Sequence, residues 1–219
     1  MKYTEKYKFK KPEATDSYNI EDFNENAEAI DKALTEKAPA GFGLGVRCVN
    51  IDSANNINAN GWYQTNVDTP NSNWWMCLAF VTNAGADITI QAHSVKGNYS
   101  ATRSKVDGVW QPWEWDNPPM YLGTEYRTTE RLGGKPVYCK YVKFGAGPNN
   151  TTKSVDHGIS NIANIVEWHC FNVNSGSNVE QASNVTAITI FNTSISVTTK
   201  ANEAAWLLHF LIKYTKTTD

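Results

Sequence analysis

The sequence predicts a mainly β protein: a short N-terminal coiled-coil helix, then a small β knob, then a C-terminal β-sandwich or jelly-roll-like head. Three observations lead there. The 219 residues include 8 Trp, 10 Tyr and 8 Phe with only 19% charged side chains, a composition that suits pleated, half-buried surfaces better than a helical enzyme. Short apolar and β-branched runs recur between Asn, Gly and Pro turn signals from residue 44 onward. One stretch departs from that pattern: Ile20, Phe23, Ala27, Ile30 and Leu34 step by 3, 4, 3 and 4, the spacing of a coiled-coil seam rather than of a broad globular face.

Residues 1–18 are polar and Pro12 interrupts any helix, so they read as an arm that is ordered by docking on another protein. The helix follows over 19–38. Asn19 supplies an N-cap, and Glu21, Asp22 and Glu25 put negative charge on the first turns, where the helix dipole favours it. It ends near Lys37, ahead of Pro39 and the glycine cluster Gly41 to Gly45, a hinge into the next domain. A helix of this length is marginal in water on its own, roughly 12–15 residues being the threshold, so its seam needs a partner. Either it is an oligomerising stalk, the reading preferred here, or it packs on its own C-terminal domain.

The knob spans 44–119, with strands predicted over Val46 to Asn50, Gly61 to Thr65, Trp75 to Thr82, Ile88 to His93, Tyr99 to Lys105 and Trp110 to Trp115. Asp107-Gly108 is a tight-hairpin signal. Asn117-Pro118-Pro119 reads as a linker. The head spans 120–219, with strands over Val137 to Phe144, Ile165 to Val173, Val185 to Asn192, Ser194 to Thr199 and Ala205 to Thr215, the last placing Leu208, Phe210, Ile212 and Tyr214 on one face. Five or more antiparallel strands point to a sandwich or jelly roll.

A net charge of −2 gives no basic field for nucleic acid. No apolar run is long enough for a membrane span, and the N-terminus lacks the apolar core of a signal peptide, so synthesis in a cytoplasm is expected. Cys48, Cys77, Cys139 and Cys170 show no metal spacing and read as free, apolar core residues.

Three local patterns, taken together, resemble the tail fibres and receptor-binding proteins of phages and prophages of Gram-positive hosts. The first is Lys10-Lys11-Pro12-Glu13-Ala14-Thr15-Asp16 followed by Asn19-Ile20-Glu21-Asp22-Phe23-Asn24-Glu25-Asn26, similar to the N-terminal signature of such fibres. The second is Gly61-Trp62-Tyr63, Tyr99-Ser100-Ala101-Thr102-Arg103-Ser104 and Val109-Trp110-Gln111-Pro112-Trp113-Glu114-Trp115, which resembles the knob module of tail fibres and R-type pyocins. The third is Glu125-Tyr126-Arg127-Thr128-Thr129-Glu130-Arg131, Gly134-Lys135-Pro136-Val137-Tyr138 and the terminal Lys213 to Asp219, similar to the head of the same proteins. The resemblance implies a parallel homotrimer in a virion tail or baseplate, attached to a baseplate or tail protein through its N-terminus and to a bacterial cell-surface glycan through its C-terminus. Neither a cofactor nor a catalytic residue is expected.

Sugar rings stack on flat aromatic faces, which makes Trp62, Tyr63, Trp74, Trp75, Trp110, Trp113 and Trp115 candidate platforms. Trp110, Trp113 and Trp115 fall where the knob family places packing residues. Trp74 and Trp75 are adjacent and in a strand would face opposite ways. In the head, the polar segments 145–155 and 172–183 offer adaptable hydrogen-bonding groups on a β scaffold, with Asn149, Asn150, Asn174, Ser175 and Asn178 as candidate ligand contacts. His157 reads as a satisfied structural histidine, and His93, His169 and His209 show no metal spacing. Asp107, Glu114, Asp116, Glu125 and Glu130 could furnish a hydrolase pair, but nothing in their spacing favours one. The expected function is non-covalent attachment to a host glycan, with a structural fibre connector and a glycan hydrolase as the alternatives.

Overall fold

A computed structural model describes residues 2–5, 8–11, 13, 15–17, 19–37, 48–180 and 182–218. The predicted hinge at Pro39 and Gly41 to Gly45 lies outside the described residues, as does the start of the first predicted knob strand.

The arm folds back on itself. Strand β1 (Lys2–Tyr3) pairs antiparallel with β2 (Lys10–Lys11), and helix α1 runs Ile20–Lys37. Asn19 caps it, its side-chain oxygen accepting the Glu21 amide at 3.0 Å. The described part of the arm is held against this helix through Lys10. Asn26 accepts the Lys10 amide through Oδ1 at 2.6 Å and donates from Nδ2 to the Lys10 carbonyl at 2.8 Å. Lys10 Nζ lies 2.6 Å from both Asp22 and Glu25, and these bonds hold its ammonium above the usual lysine range.

The knob comprises β3 (Val49–Asn50), β4 (Gly61–Thr65), β5 (Trp75–Thr82), β6 (Asp87–Ser94), β7 (Ser100–Val106), β8 (Val109–Trp110) and β9 (Glu114–Asn117). Strands β4 to β7 form an antiparallel meander, and β3 pairs parallel with β4 at the edge. Asp107 and Gly108 alone separate β7 from β8, with φ of 49° and 83°. That left-handed pair is what a two-residue hairpin requires. The predicted strand Trp110 to Trp115 is broken in two because Pro112 cannot donate to the ladder. Alternate residues point inward, so Tyr63, Trp75, Cys77, Ala79, Ile90, Ala92 and Trp115 share one core.

The head comprises β10 (Glu125–Leu132), β11 (Lys135–Ala146), β12 (Thr152–Asp156), β13 (Ile162–Asn172), β14 (Ser177–Asn178), β15 (Val185–Ile190), β16 (Ser194–Thr199) and β17 (Leu207–Lys216). Strands β14-β13-β17-β11-β10 make one sheet and β12-β16-β15 a second. Phe144, Cys170, Leu208, Phe210, Ile212 and Tyr214 of the first share a core with Ile195 and Val197 of the second. Three strands were not anticipated. Half of β10 is charged, while β12 begins inside 145–155 and β14 lies inside 172–183, segments that the sequence presents as loop.

Knob and head are one sheet. Strand β9 pairs antiparallel with β7 and, through Trp115 and Thr128, parallel with β10. The hydrogen-bonded path therefore crosses Asn117-Pro118-Pro119, where the sequence reads as a linker. Glu114 fastens the crossing, its carboxylate 2.9 Å from Arg127 and 2.6 Å from Arg131.

All four cysteines are free. Burial pushes the thiols of Cys77 and Cys170 up to about 12 and that of Cys139 to about 11, which keeps these three protonated and inert.

Candidate functional site

The helix seam is bare. Ile20, Phe23, Ile30 and Leu34 are 57%, 64%, 44% and 61% exposed, and Ala27 is exposed beside them. At 100° per residue the seam and the docked flank of Asp22, Glu25 and Asn26 lie on different sides of the helix. The arm thus occupies a polar flank and leaves the apolar stripe open. Among the described residues, the chain's own β domains do not cover it.

Of the two adjacent tryptophans, Trp74 is 43% exposed and Trp75 fully buried. Trp75 donates from Nε1 to Asn71 Oδ1 at 2.9 Å and meets Trp115 edge-on with centroids 5.7 Å apart. Trp75 is a core residue, and its burial removes it as a contact for a surface ligand. Trp110 and Trp113 are half-buried and hold Arg103, whose guanidinium lies 4.9 Å and 5.6 Å from their ring centroids. Arg103 also donates to the Gln111 carbonyl and to Asn55 Oδ1, both at 2.7 Å, and burial lowers its pKa. Arg103→Ala is expected to cost about 2 kcal/mol from the two cation–π contacts and the charge-assisted bonds. A thermal melt followed by tryptophan fluorescence checks this; an unchanged midpoint and spectrum would exclude the contact.

The structure brings the candidate head loops together. Asn149 bridges to Asn202, the Asn150 amide donates to the Ala201 carbonyl, and Asn174 Nδ2 donates to the Ala205 carbonyl. Both loops therefore flank the segment 200–206, whose buried Glu203 accepts from Asn184 Nδ2 at 2.8 Å. Several of the predicted groups are already engaged in holding the turns. Ser175 bonds Ser177 at 2.6 Å, and Asn178 Oδ1 accepts the Glu180 amide at 2.9 Å. Asn149 and Asn150 are exposed.

His157 is satisfied: Nδ1 accepts the Ile159 amide and Nε2 donates to the Phe191 carbonyl, both at 3.0 Å. The acids considered for hydrolysis are largely spent on ion pairs. Glu114 holds Arg127 and Arg131, Glu125 accepts from Tyr214 and Lys216, and Glu130 accepts from Lys213. Among the described residues no group of three His, Cys, Asp or Glu side chains could hold a metal ion, and no helix is long and apolar enough to cross a membrane.

Sequence reasoning missed a shallow apolar groove of about 320 Å³ on the outer face of the head, lined by Met120, Tyr141, Phe171 and Leu211. Beside it, in register with Lys143 and Phe171, sits His209. It is buried, with both ring nitrogens lacking a partner and its ring 5.2 Å from Tyr141. Desolvation, then Lys143, lowers its pKa below the ordinary 6.5. The unfolded chain then binds the extra proton more readily, so the contribution of neutral His209 is complete above the unfolded pKa and declines as pH falls below about 6.5. Denaturant midpoints at pH 7.5 and 5.5 should show a drop that His209→Phe reduces.

No protein-family model and no curated protein matches the chain. Three solved structures are similar to it. A C-terminal fragment of the R1 pyocin fibre of P. aeruginosa is 12% identical with a TM-score of 0.28, over 75% of this chain and 66% of that one, just under two thirds of its length. An N-truncated R2-type pyocin tail fibre is 9% identical with a TM-score of 0.27, over 81% of this chain and 96% of that one. A C-terminal fragment of the P. aeruginosa R2 pyocin fibre is 8% identical with a TM-score of 0.28, over 80% and 69%.

Proposed function

We propose that this chain is the fibre or receptor-binding protein of a phage or phage-tail-like particle and attaches it to a glycan on the surface of a Gram-positive bacterium. The observation that carries the reading is the bare seam of Ile20, Phe23, Ala27, Ile30 and Leu34 on a helix attached to a β-rich body. Three parallel copies bury that seam, forming a stalk whose arms face outward toward the baseplate and whose β domains are presented as a cluster. Each site binds weakly. Linking several in one particle turns later contacts into intramolecular ones at effective concentrations on the order of millimolar.

The head loops holding Asn149, Asn150, Asn174, Ser175 and Asn178 flank the common segment 200–206, which supports a receptor role for that end. Attachment needs no metal, cofactor or covalent step. The test is sedimentation of the full chain, expected at three times the monomer mass, combined with binding to intact bacteria in the presence of chelator. A monomer at micromolar concentration overturns the stalk, and release of sugar products overturns attachment in favour of hydrolysis.

A further inference from the structure

The knob sheet has two faces, and among the described residues only one is covered. While Trp75, Cys77 and Ala79 enter the core, the alternate residues Trp74, Met76, Leu78 and Phe80 point the other way, and Trp74, Met76 and Phe80 are 43%, 38% and 46% exposed. Half-buried Trp62 on β4 stands in register with Leu78. The result is an apolar column, aromatic at both ends and in the middle, about 20 Å long at the rise of a strand. On the neighbouring strand β6, His93, Gln91 and Thr89 stand in register with Met76, Leu78 and Phe80. All three are exposed, and none has a side-chain hydrogen-bond partner among the described residues.

We infer that this outer face of the knob is a binding platform for an uncharged glycan. A sugar ring is amphipathic, with C–H groups on its faces and hydroxyls at its rim. It therefore calls for a flat apolar strip beside unengaged amides and hydroxyls, which is what β5 and β6 place side by side. The charge pattern selects the class: neither column contains Lys, Arg, Asp or Glu. A phosphate- or carboxylate-bearing polymer would lack a counter-charge here, and a protein partner would lack the charged rim that fixes register. The inference rests on the attachment reading above, to which it adds a ligand class and a location outside the head loops.

The test uses the full-length protein on immobilised bacterial surface polysaccharides, charged and uncharged, with mass measured by sedimentation in parallel. Wild type is expected to bind uncharged polysaccharides. The Trp62→Ala/Phe80→Ala protein should lose about tenfold or more in affinity, as hot-spot truncations do, and Gln91→Ala, a change at an exposed site, should weaken binding without altering the melt. Asn149→Ala/Asn150→Ala, in the head loops of the attachment reading, is measured beside them. Loss in the loop variant with retention in both platform variants overturns this inference and leaves the attachment reading standing. Binding confined to charged polysaccharides overturns it too, as does a platform variant whose oligomeric mass falls, since the face would then be a contact between copies. If wild type binds no polysaccharide, both readings fail.

Discussion

Ile30→Asp is expected to dissociate the stalk. In the proposed trimer three copies of Ile30 meet in one layer, and the substitution replaces an apolar side chain worth about 1.5–3 kcal/mol on burial with three like charges that have no counter-ion. Leaving a buried charge unpaired costs about 3 kcal/mol or more per site, so association should weaken by at least about a thousandfold. Sedimentation at micromolar concentration should report monomers. The helical signal in circular dichroism should fall with it, because a lone helix of this length is marginal. Glu28→Gln, a change on an exposed position away from the seam, should leave the mass unaltered. An Ile30→Asp protein that kept its oligomeric mass would show that the seam is not the contact.

Trp115→Ala should have the largest effect on the β body. Trp115 is 7% exposed, meets Trp75 and Tyr126 edge-on at 5.7 Å and 5.5 Å, and stands in register with Ala101 on one side and Thr128 on the other. Removing it opens a cavity where the knob core meets the head. Such truncations cost about 3–5 kcal/mol. Because β9 is the shared strand, calorimetry should show the unfolding endotherm of the intact protein separate into two, with the knob melting first. A single endotherm at the original temperature would mean that the two cores are tied elsewhere.

Elements with local determinants were legible in the sequence. Asn19 marked the helix start, the Asp107-Gly108 pair its hairpin, and the bounds of β4, β5 and β16 followed from period-two alternation between turn residues. What escaped had non-local causes. In β10 only Tyr126 and Thr128 face inward, and the outward Arg127, Glu130 and Arg131 find their ion-pair partners on β9 and β17, so the alternation is hidden by charge. Strand β12 holds one apolar residue, Val155, and exists because β16 offers it an edge. The Lys10 clasp on Asp22, Glu25 and Asn26 looked like favourable helix charge and nothing more. Of the candidate site, the seam was readable as a spacing. The pairing of an apolar column on β5 with unengaged polar groups on β6 was not, since it depends on which strands become neighbours and on which face the core covers.

The shared strand also sets how the molecule bears tension. A pull applied between the helix and the far end of the head must cross the junction of β9 with β10, where the ladder is one residue pair wide and the clamp is a single carboxylate held by two arginines. Every other strand junction along the path from β4 through β7 and from β10 through β13 carries several paired residues. The junction of β9 with β10 is the narrowest hydrogen-bonded step on the path, backed by Tyr126 and Cys139, which reach across it into the knob core. The covalent connection of residues 118–124 then limits the added length to about 25 Å at full extension. On the proposed reading, a particle tugged by flow would meet a short give in each fibre, bounded by that connection, before the wider ladders on either side are disturbed.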